Sequence, residues 1–250
     1  MGLPSPLALE RAGLKAWPGI EVEWDGSWVR RASGSHTQRA NSAQCFDPAD
    51  DGDVAHRVAA VRAWYEARGQ TPIFRVNLLS GPNLIAELDR GGWVEVDHSL
   101  LMAMRLSEIE ADPSGAVLPI DHPAFVDTQR RLKGWDDATL ARFRAILAML
   151  VVPACGVVLW SADGRPVSSA LMAVADGIVI TGNVVTDADE RRKGCGAAMM
   201  RTGLAWAKAA GAQFAALNVG ADNPAGQALY RRLGYVPQYN YAYRVPGAAP

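Results

Sequence analysis

The 250-residue sequence predicts a mixed α/β (α+β) fold, with a mixed central sheet flanked by helices. Three observations support this prediction. A β-branched run, 178–185, leads through a short charged loop into a helical pattern. A strand, a helix and a last strand follow within the final fifty residues. A similar order of elements occurs earlier in the chain, about 142 residues upstream, so the fold is predicted to contain two related halves.

The C-terminal half has clear element boundaries. Asp176-Gly177 separates two apolar β-rich runs and predicts a hairpin. Because a helix connects the second of these runs to the next strand, that pair is expected to be parallel, with a right-handed crossover. The predicted helices are 123–132, 136–150 and 196–210, and the predicted strands are 156–160, 167–175, 178–185, 213–219 and 239–245.

The charged loop predicts an anion site. Gly194 and Gly196 remove side chains where a backbone could approach a ligand, and unpaired N–H groups begin the helix that follows. Arg191, Arg192 and Lys193 add positive charge. The sequence contains neither the Gly-Lys-Ser/Thr of a nucleoside-triphosphate loop nor the three-glycine dinucleotide motif. Taken alone, this segment is equally compatible with an ordinary tight turn.

Two motifs together identify a family. The sequence Arg-Arg-Lys-Gly-Cys-Gly at 191–196 resembles the acetyl-CoA pyrophosphate loop of the GNAT superfamily of N-acetyltransferases. The segment 223–235 is similar to the second GNAT motif, Asn-x-x-Ala-x-x-Leu-Tyr-x-x-Leu-Gly-Phe/Tyr, with the alanine displaced to Ala225 and Ala228. The resemblance covers residues ~120 to 246. It implies the GNAT acyl-CoA N-acyltransferase fold and acetyl-CoA as co-substrate.

A weak internal repeat suggests a tandem arrangement. Residues 63–69 match residues 205–211, and a strand, a turn and a helix follow each copy. We therefore predict a degenerate GNAT-like half at 1–107, a linker at 108–119 and an acetyl-CoA-binding GNAT domain at 120–250. The segment Arg-Ala-Asn-Ser at 39–42 resembles a tandem-GNAT subgroup. Coincidence between short Ala/Gly-rich segments is the alternative explanation.

The resemblance assigns the cofactor site residue by residue. Main-chain groups of Val184 and Val185 are expected to meet the pantetheine arm where two strands splay apart, although both side chains also suit the core. Asn223 matches a residue that touches the arm in relatives, but it is an equally good helix N-cap before Pro224. Cys195 is interpreted as a small residue rather than a redox group. The pyrophosphate ligands are expected to be Arg191, Arg192, Lys193, Gly194, Cys195 and Gly196, with Ala197 in the first helical turn.

Tyr230 matches the motif tyrosine and is the predicted catalytic residue. A phenol can protonate the thiolate that leaves when a thioester is attacked. A buried aromatic residue beside an apolar helix stripe is the alternative. No general base is identified: Asp187, Asp189 and Glu190 lie in the charged loop, and a water relay is equally compatible with the sequence. Asn218, polar within an apolar strand, either faces substrate or pairs with backbone.

The N-terminal half offers candidate acceptor contacts. Arg30, Arg39 and Asn41 are candidates for the acceptor site, with surface or inter-domain salt bridges as the alternative. Trp28 and Trp135 are candidate walls of a pocket between the halves. Residues 49–54 occupy the position that corresponds to the pyrophosphate loop, and the four carboxylates of the surrounding acidic segment, Asp47, Asp50, Asp51 and Asp53, are expected to repel phosphate, so one CoA site per chain is predicted.

The composition limits which classes of partner and cofactor are expected. A net charge of −1 argues against nucleic acid and membrane partners. The sequence contains no apolar run of about 18 residues, so no membrane span is predicted. The four histidines are scattered and no zinc motif is present, so we expect no metal site. The three cysteines are far apart in the sequence, which fits a location in the reducing cytoplasm.

The predicted function is transfer of an acetyl group from acetyl-CoA to a primary amine, by direct attack in a ternary complex. A small molecule or amino acid is favoured as the acceptor. The alternative is a non-catalytic acyl-CoA-binding or sensing module. The sequence leaves open the acceptor, the general base, a homodimer, and whether the N-terminal half contributes substrate-binding residues.

Overall fold

A single mixed sheet runs through both halves of the chain. The structure, a computed structural model, describes residues 2–107 and 109–247, so Glu108 of the predicted linker and the ends of the two predicted domains lie outside it. Within these residues eleven strands form one sheet in the order β1-β2-β3-β4-β11-β5-β10-β9-β8-β7-β6. Their bounds are β1 Glu21–Asp25, β2 Trp28–Ala32, β3 Ala43–Cys45, β4 Phe74–Val76, β5 Trp93–Arg105, β6 Gly115–Leu118, β7 Ala154–Trp160, β8 Pro166–Ala175, β9 Ile178–Thr186, β10 Phe214–Gly220 and β11 Val236–Pro246.

Seven α-helices cover the two faces of the described sheet. They are α1 Pro6–Ala16, α2 Val54–Glu66, α3 Pro82–Arg90, α4 Pro123–Lys133, α5 Asp137–Ala148, α6 Cys195–Ala209 and α7 Pro224–Arg232. Adjacent residues of β10 belong to different apolar clusters, Ala216 with α1 and Leu217 with α6, because successive strand residues point to opposite faces. On this basis α1, α4 and α5 cover one face, and α2, α3, α6 and α7 cover the other.

The helices begin where local signals require. Ser5 caps α1 by accepting a hydrogen bond from the Ala8 N–H at 3.3 Å. Asp136 caps α5 through the Thr139 N–H at 2.7 Å. Pro occupies the first turn of α1, α3, α4 and α7, where no N–H is needed. The hairpin between β8 and β9 forms at Asp176 and Gly177, whose φ angles of 51° and 75° fit the predicted turn.

The element bounds follow the internal repeat. Adding 142 to the bounds of α2 and α3 gives 196–208 and 224–232, against 195–209 for α6 and 224–232 for α7. Each half also contains one parallel pair, β3 with β4 and β9 with β10. The two related halves inferred from the sequence are therefore present in the fold.

The terminal strand of each half pairs with the other half. Strand β5 pairs with β10 over seven residues, and β11 pairs with β4 as well as with β5. The segment predicted as a linker includes β6, which pairs with β7 at the sheet edge. The two halves share one sheet through exchanged strands, so the sheet itself shows no boundary at 108–119. The division of the chain into two domains at this segment stays a prediction. The sequence analysis did not identify helix α1 or the short strands β3 and β6.

Candidate active site

The charged loop ends in a helix that has no side-chain cap. Gly194 is the N-cap residue of α6 and has a φ of 89°, a left-handed conformation that favours glycine. The first backbone N–H groups with intrahelical acceptors are those of Ala197 and Ala198, both bonded to the Gly194 carbonyl at 3.0 Å. The N–H groups of Cys195 and Gly196 have no backbone acceptor among the described residues. These free donors at a helix N-terminus form an anion cradle.

The cations of the loop differ in whether they form an ion pair with a carboxylate. Lys193 forms an ion pair with Glu190 at 3.2 Å, and Glu190 also binds Arg165 at 3.1 Å. Arg191 and Arg192 are exposed. Glu190 is therefore bound to two cations, and Asp187 is also bound, since it lies 2.7 Å from Arg165. A backbone hydrogen bond from Asp189 and the neighbouring arginines lower the pKa of Asp187, which makes it a poor proton acceptor.

Strands β9 and β10 separate next to this cradle. Their parallel pairing ends at Thr181 and Leu217, although β9 continues to Thr186 and β10 to Gly220. A bulge in β9 contains Val184, which has no partner in β8 or β10, and the preceding Asn183 has a φ of 54°. The unpaired edges leave a gap where a chain-like ligand could form main-chain hydrogen bonds.

The two valines at the gap have different environments. Val185 pairs with Ser169 of β8, and its carbonyl accepts a hydrogen bond from the Ser168 hydroxyl at 3.0 Å. The Val184 side chain packs against the core cluster below α6. Main-chain binding to the pantetheine arm stays a prediction for both residues, and Val184 is the better placed because it has no register partner in β8 or β10.

Tyr230 lies in α7 and is 7% exposed. Its ring packs in the core cluster that contains Leu217, with the Tyr235 ring centroid 6.0 Å away. Burial alone raises the pKa of Tyr230 to about 12, so the phenol is protonated at neutral pH. Asn223 caps α7, since its Oδ1 accepts from the Gly226 N–H at 2.9 Å. The capping interpretation of Asn223 is thus confirmed, while cofactor contact stays a prediction.

The acidic segment of the N-terminal half has structural partners. The Asp51 carboxylate accepts hydrogen bonds from the Asn83 and Leu84 N–H groups, at 2.6 and 2.9 Å, and so caps α3. Asp50 forms an ion pair with Arg57 at 2.8 Å. The repeat offset of 142 also places Val54 at the position of Gly196. In the N-terminal half, carboxylates and a β-branched side chain thus lie at the positions that correspond to the anion cradle.

A buried polar cluster joins the two halves beneath α1. Glu10 of α1 accepts three hydrogen bonds: from Arg75 of β4 at 2.7 Å, from Gln44 of β3 at 2.7 Å, and from Tyr239 of β11 at 2.8 Å. Arg75 also reaches Asn218 of β10 at 3.4 Å. Sequence analysis missed Glu10, Gln44 and Arg75, although Arg75 is a cation inside an apolar strand, which is a usable signal.

The candidate acceptor contacts of the N-terminal half separate into two groups. Arg30 forms an ion pair with Glu23, and Asn41 holds a turn through the Ser33 and Ser35 N–H groups, so both have structural roles. Arg39 differs, because it lines a small cavity beside the buried cluster and stacks over Trp17. Trp28 is buried against Arg57, away from that cavity.

The remaining polar candidates have local roles. His36 is buried among aromatic rings that include Trp135, and burial together with Lys133 and Arg142 lowers its pKa. His122 caps α4 by accepting from the Ala124 N–H. No cluster of His, Cys, Asp or Glu suited to a metal occurs within residues 2–107 and 109–247. None of the described helices is both long and apolar enough to cross a membrane.

Comparison with known proteins places this chain in a family. The family described as "Probable histone acetyltransferase Rv0428c C-terminal" matches residues 7–244. An uncharacterized N-acetyltransferase, YobR of Bacillus subtilis, is 24% identical over 252 residues, covering 95% of this chain and 97% of that protein. The probable histone acetyltransferase Rv0428c of Mycobacterium tuberculosis is 32% identical over 127 residues, which cover 50% of this chain and 37% of that protein.

Solved structures agree on the fold. A GCN5-related N-acetyltransferase from Kribbella flavida superposes with a TM-score of 0.71 at 21% identity, over 99% of this chain and 98% of that one. A tandem GNAT protein from the clavulanic acid biosynthesis pathway superposes with a TM-score of 0.65 at 13% identity, over 99% and 90%. The chain belongs to the Rv0428c C-terminal acetyltransferase family of the GNAT superfamily, and it is an acetyl-CoA-dependent N-acetyltransferase.

Proposed function

We propose that the protein transfers the acetyl group of acetyl-CoA to the primary amine of a small acceptor bound between the two halves. The observation that carries this proposal is the uncapped N-terminus of α6 beside the gap between β9 and β10. A pyrophosphate fits the first feature and an extended arm fits the second. Acetyl-CoA supplies the acetyl group as a thioester.

The chain would bind this substrate largely through its backbone. The N–H groups of Gly194, Cys195 and Gly196 are assigned to the pyrophosphate, with Ala197 in the same turn and the arginines of the loop adding charge. Val184 and Val185 are assigned to the arm. We assign Asn223 to the edge of this site, where its capping bond fixes the start of α7.

The reaction that we propose needs no covalent enzyme intermediate. The amine nitrogen forms a bond to the thioester carbon, the carbon–sulfur bond breaks, and the sulfur takes a proton. Tyr230 is the proposed donor of that proton, because it matches the motif tyrosine and its phenol carries a proton at neutral pH. The tyrosinate is then reprotonated by the proton that the attacking amine loses, carried through water.

The acceptor is proposed to be small. The family description and one relative name a histone acetyltransferase, but a histone tail needs an open, acidic track. The cavity between the halves is instead small, and Arg31, Arg39 and Arg75 line it. The small size of the cavity disfavours a peptide chain, and its guanidinium groups would repel the lysine side chains of a histone tail.

Release of CoA thiol over a panel of amines tests the proposal. The result expected is acceptor-dependent thiol release, together with a stoichiometric acetylated product identified by mass spectrometry. Binding of acetyl-CoA without turnover of any amine, amino acid or peptide would instead support the non-catalytic acyl-CoA-binding module.

A further inference from the structure

A cationic cavity lies between α1 and the sheet at the junction of the halves. Residues of the N-terminal half and of β10 line it together: Glu10, Arg31, Arg39, Arg75, Leu217 and Asn218. Its free volume is about 10 Å³, which is room for one water-sized group. Leu217 is the last residue of β10 that pairs with β9, so the cavity lies beside the point where the two strands separate.

The charges around this cavity do not balance. Three guanidinium groups face one carboxylate, and Glu10 already accepts hydrogen bonds from three different side chains. The Nε atoms of Arg31 and Arg75 are buried without a hydrogen-bond partner among the described residues, although the Arg75 guanidinium stacks over the Tyr241 ring at 3.5 Å. Donors that are buried and unpaired are costly, and an anionic ligand would satisfy them.

Arg31 is the less compensated of the two buried cations. It is 1% exposed, and its Nη1 donates to the Trp17 carbonyl at 3.2 Å. The structure gives it no ion pair with a described residue. Burial lowers the pKa of Arg31 to about 10, whereas Glu10 outweighs burial for Arg75 and raises its pKa. An unpaired buried guanidinium destabilises a fold, which points to a ligand-binding role for Arg31.

We propose that this cavity binds the carboxylate of the acceptor, so that the substrates are amino acids or other small amines that carry a carboxylate. This inference rests on the proposed function. A carboxylate beside Arg31 and Arg75 places the amine of the same molecule towards Asn218 and the gap assigned to the thioester. A polycationic peptide lacks the matching charge.

Arg39 would control entry. Its side chain is half-buried and stacks over Trp17 at 5.7 Å, and it forms no hydrogen bond or ion pair to a described residue. Its Nη2 lies 3.6 Å from the position that a Cβ on Gly182 would take, beside the strand gap. Movement of this one side chain enlarges the cavity and keeps a third cation near the entering carboxylate.

The first test compares each amino acid with the amine that lacks its carboxylate. Calorimetric binding to the protein saturated with CoA is measured for the twenty common amino acids, β-alanine and γ-aminobutyrate. The decarboxylated partners include cadaverine for lysine and phenethylamine for phenylalanine. We expect at least one acid to bind about 100-fold more tightly than its partner, as for charge-assisted hydrogen bonds. Equal affinities, or no binding by any acid, would overturn the inference.

The second test uses two matched variants. Arg39→Gln should weaken binding of the preferred acid at least about 10-fold and leave CoA affinity unchanged. Arg144→Gln, which removes an exposed cation of α5, should change neither affinity. Equal effects of the two variants on acid binding would also overturn the inference.

These measurements separate the two proposals. Tight binding of an acid without thiol release would reject the proposed transfer to that class of amine and retain the anion site. Thiol release with carboxylate-free amines, at rates equal to those with the acids, would retain acetyl transfer and reject the anion site.

Discussion

The Glu10 carboxylate and the Arg75 guanidinium form an ion pair at 2.7 Å, with side chains only 5% and 2% exposed. The pair joins α1 to β4, and the hydrogen bond from Tyr239 extends it to β11. Three segments that are remote in sequence thus meet at one carboxylate. This junction fixes the N-terminal half against the terminal strand of the C-terminal half.

Removing the carboxylate should destabilise the whole fold. We expect Glu10→Ala to lower the free energy of unfolding by about 3–5 kcal/mol, because it leaves Arg75 buried and unpaired. Lys15→Ala is the matched control: it breaks an exposed pair with Asp176, also at 2.7 Å, and should cost about 0–1 kcal/mol. Urea unfolding at pH 7 measures both. Similar losses for the two variants would contradict this account of the junction.

The contribution of Glu10 should depend on pH. Burial opposes ionisation, but Arg75 and the hydrogen bonds to the carboxylate outweigh it and lower the pKa of Glu10. A lowered pKa in the folded state stabilises the protein above the unfolded pKa of about 4.3, and this stabilisation is lost as pH falls through the folded value. The difference between wild type and Glu10→Ala should therefore shrink below about pH 4.

Strands β5 and β11 each pair with strands of the other half, so we expect that the two halves do not fold separately. A fragment of residues 120–250 lacks β5, which lies between β10 and β11 in the sheet. Both strands would then expose unpaired edges. We expect this fragment to be aggregated or unfolded by circular dichroism, and co-expression with residues 1–119 to restore CoA binding. A soluble fragment that binds CoA alone would show that 120–250 is an independent domain.

Gly196→Val should prevent CoA binding by imitating the degenerate half. The repeat places Val54 at this position, and a Cβ on Gly196 would lie 3.3 Å from Leu229 Cδ2 and from Thr186 Oγ1. The added side chain would obstruct the cradle and displace these neighbours. Calorimetry should detect no CoA binding, while circular dichroism stays native. Gly52→Val, at an open site in the other half, is the control and should bind normally.

Tyr230→Phe should affect catalysis rather than binding. Loss of the hydroxyl is expected to reduce kcat roughly 10–100-fold, at the lower limit of general-acid effects, because a thiol leaves readily. CoA affinity should stay constant. The control is Tyr235→Phe, which removes a buried hydroxyl from the same core cluster and should leave kcat unchanged. Wild-type kcat in Tyr230→Phe, with chemistry rate-limiting, would remove Tyr230 from the mechanism.

The sequence predicted the elements that local signals define. The hairpin at Asp176 and Gly177, the cap at Asn223 and the helix after Gly194 each depend on residues within a few positions, so their patterns are readable. Helix α1 was missed although Ser5 and Pro6 are a standard start signal. The family followed from two motifs whose spacing is fixed by the backbone around the proposed CoA site.

The polar junction could not be predicted from the sequence. Glu10, Arg75 and Tyr239 become neighbours only because β11 inserts between β4 and β5, and a repeat alone does not reveal that exchange. The same topology separates Arg39, which lines the cavity, from Arg30, which pairs at the surface. The available signals of a buried polar cluster were polar residues within apolar strands, such as Arg75 and Asn218.

A structure of the protein with bound CoA tests the central claim most directly. The account predicts one CoA per chain, with its pyrophosphate within hydrogen-bonding distance of the Gly194, Cys195 and Gly196 N–H groups and its arm between β9 and β10. The segment around Asp50 and Asp51 should be free of ligand, because its carboxylates are bound to Arg57 and to the start of α3. A CoA molecule bound at that segment, or away from the N-terminus of α6, would contradict the account.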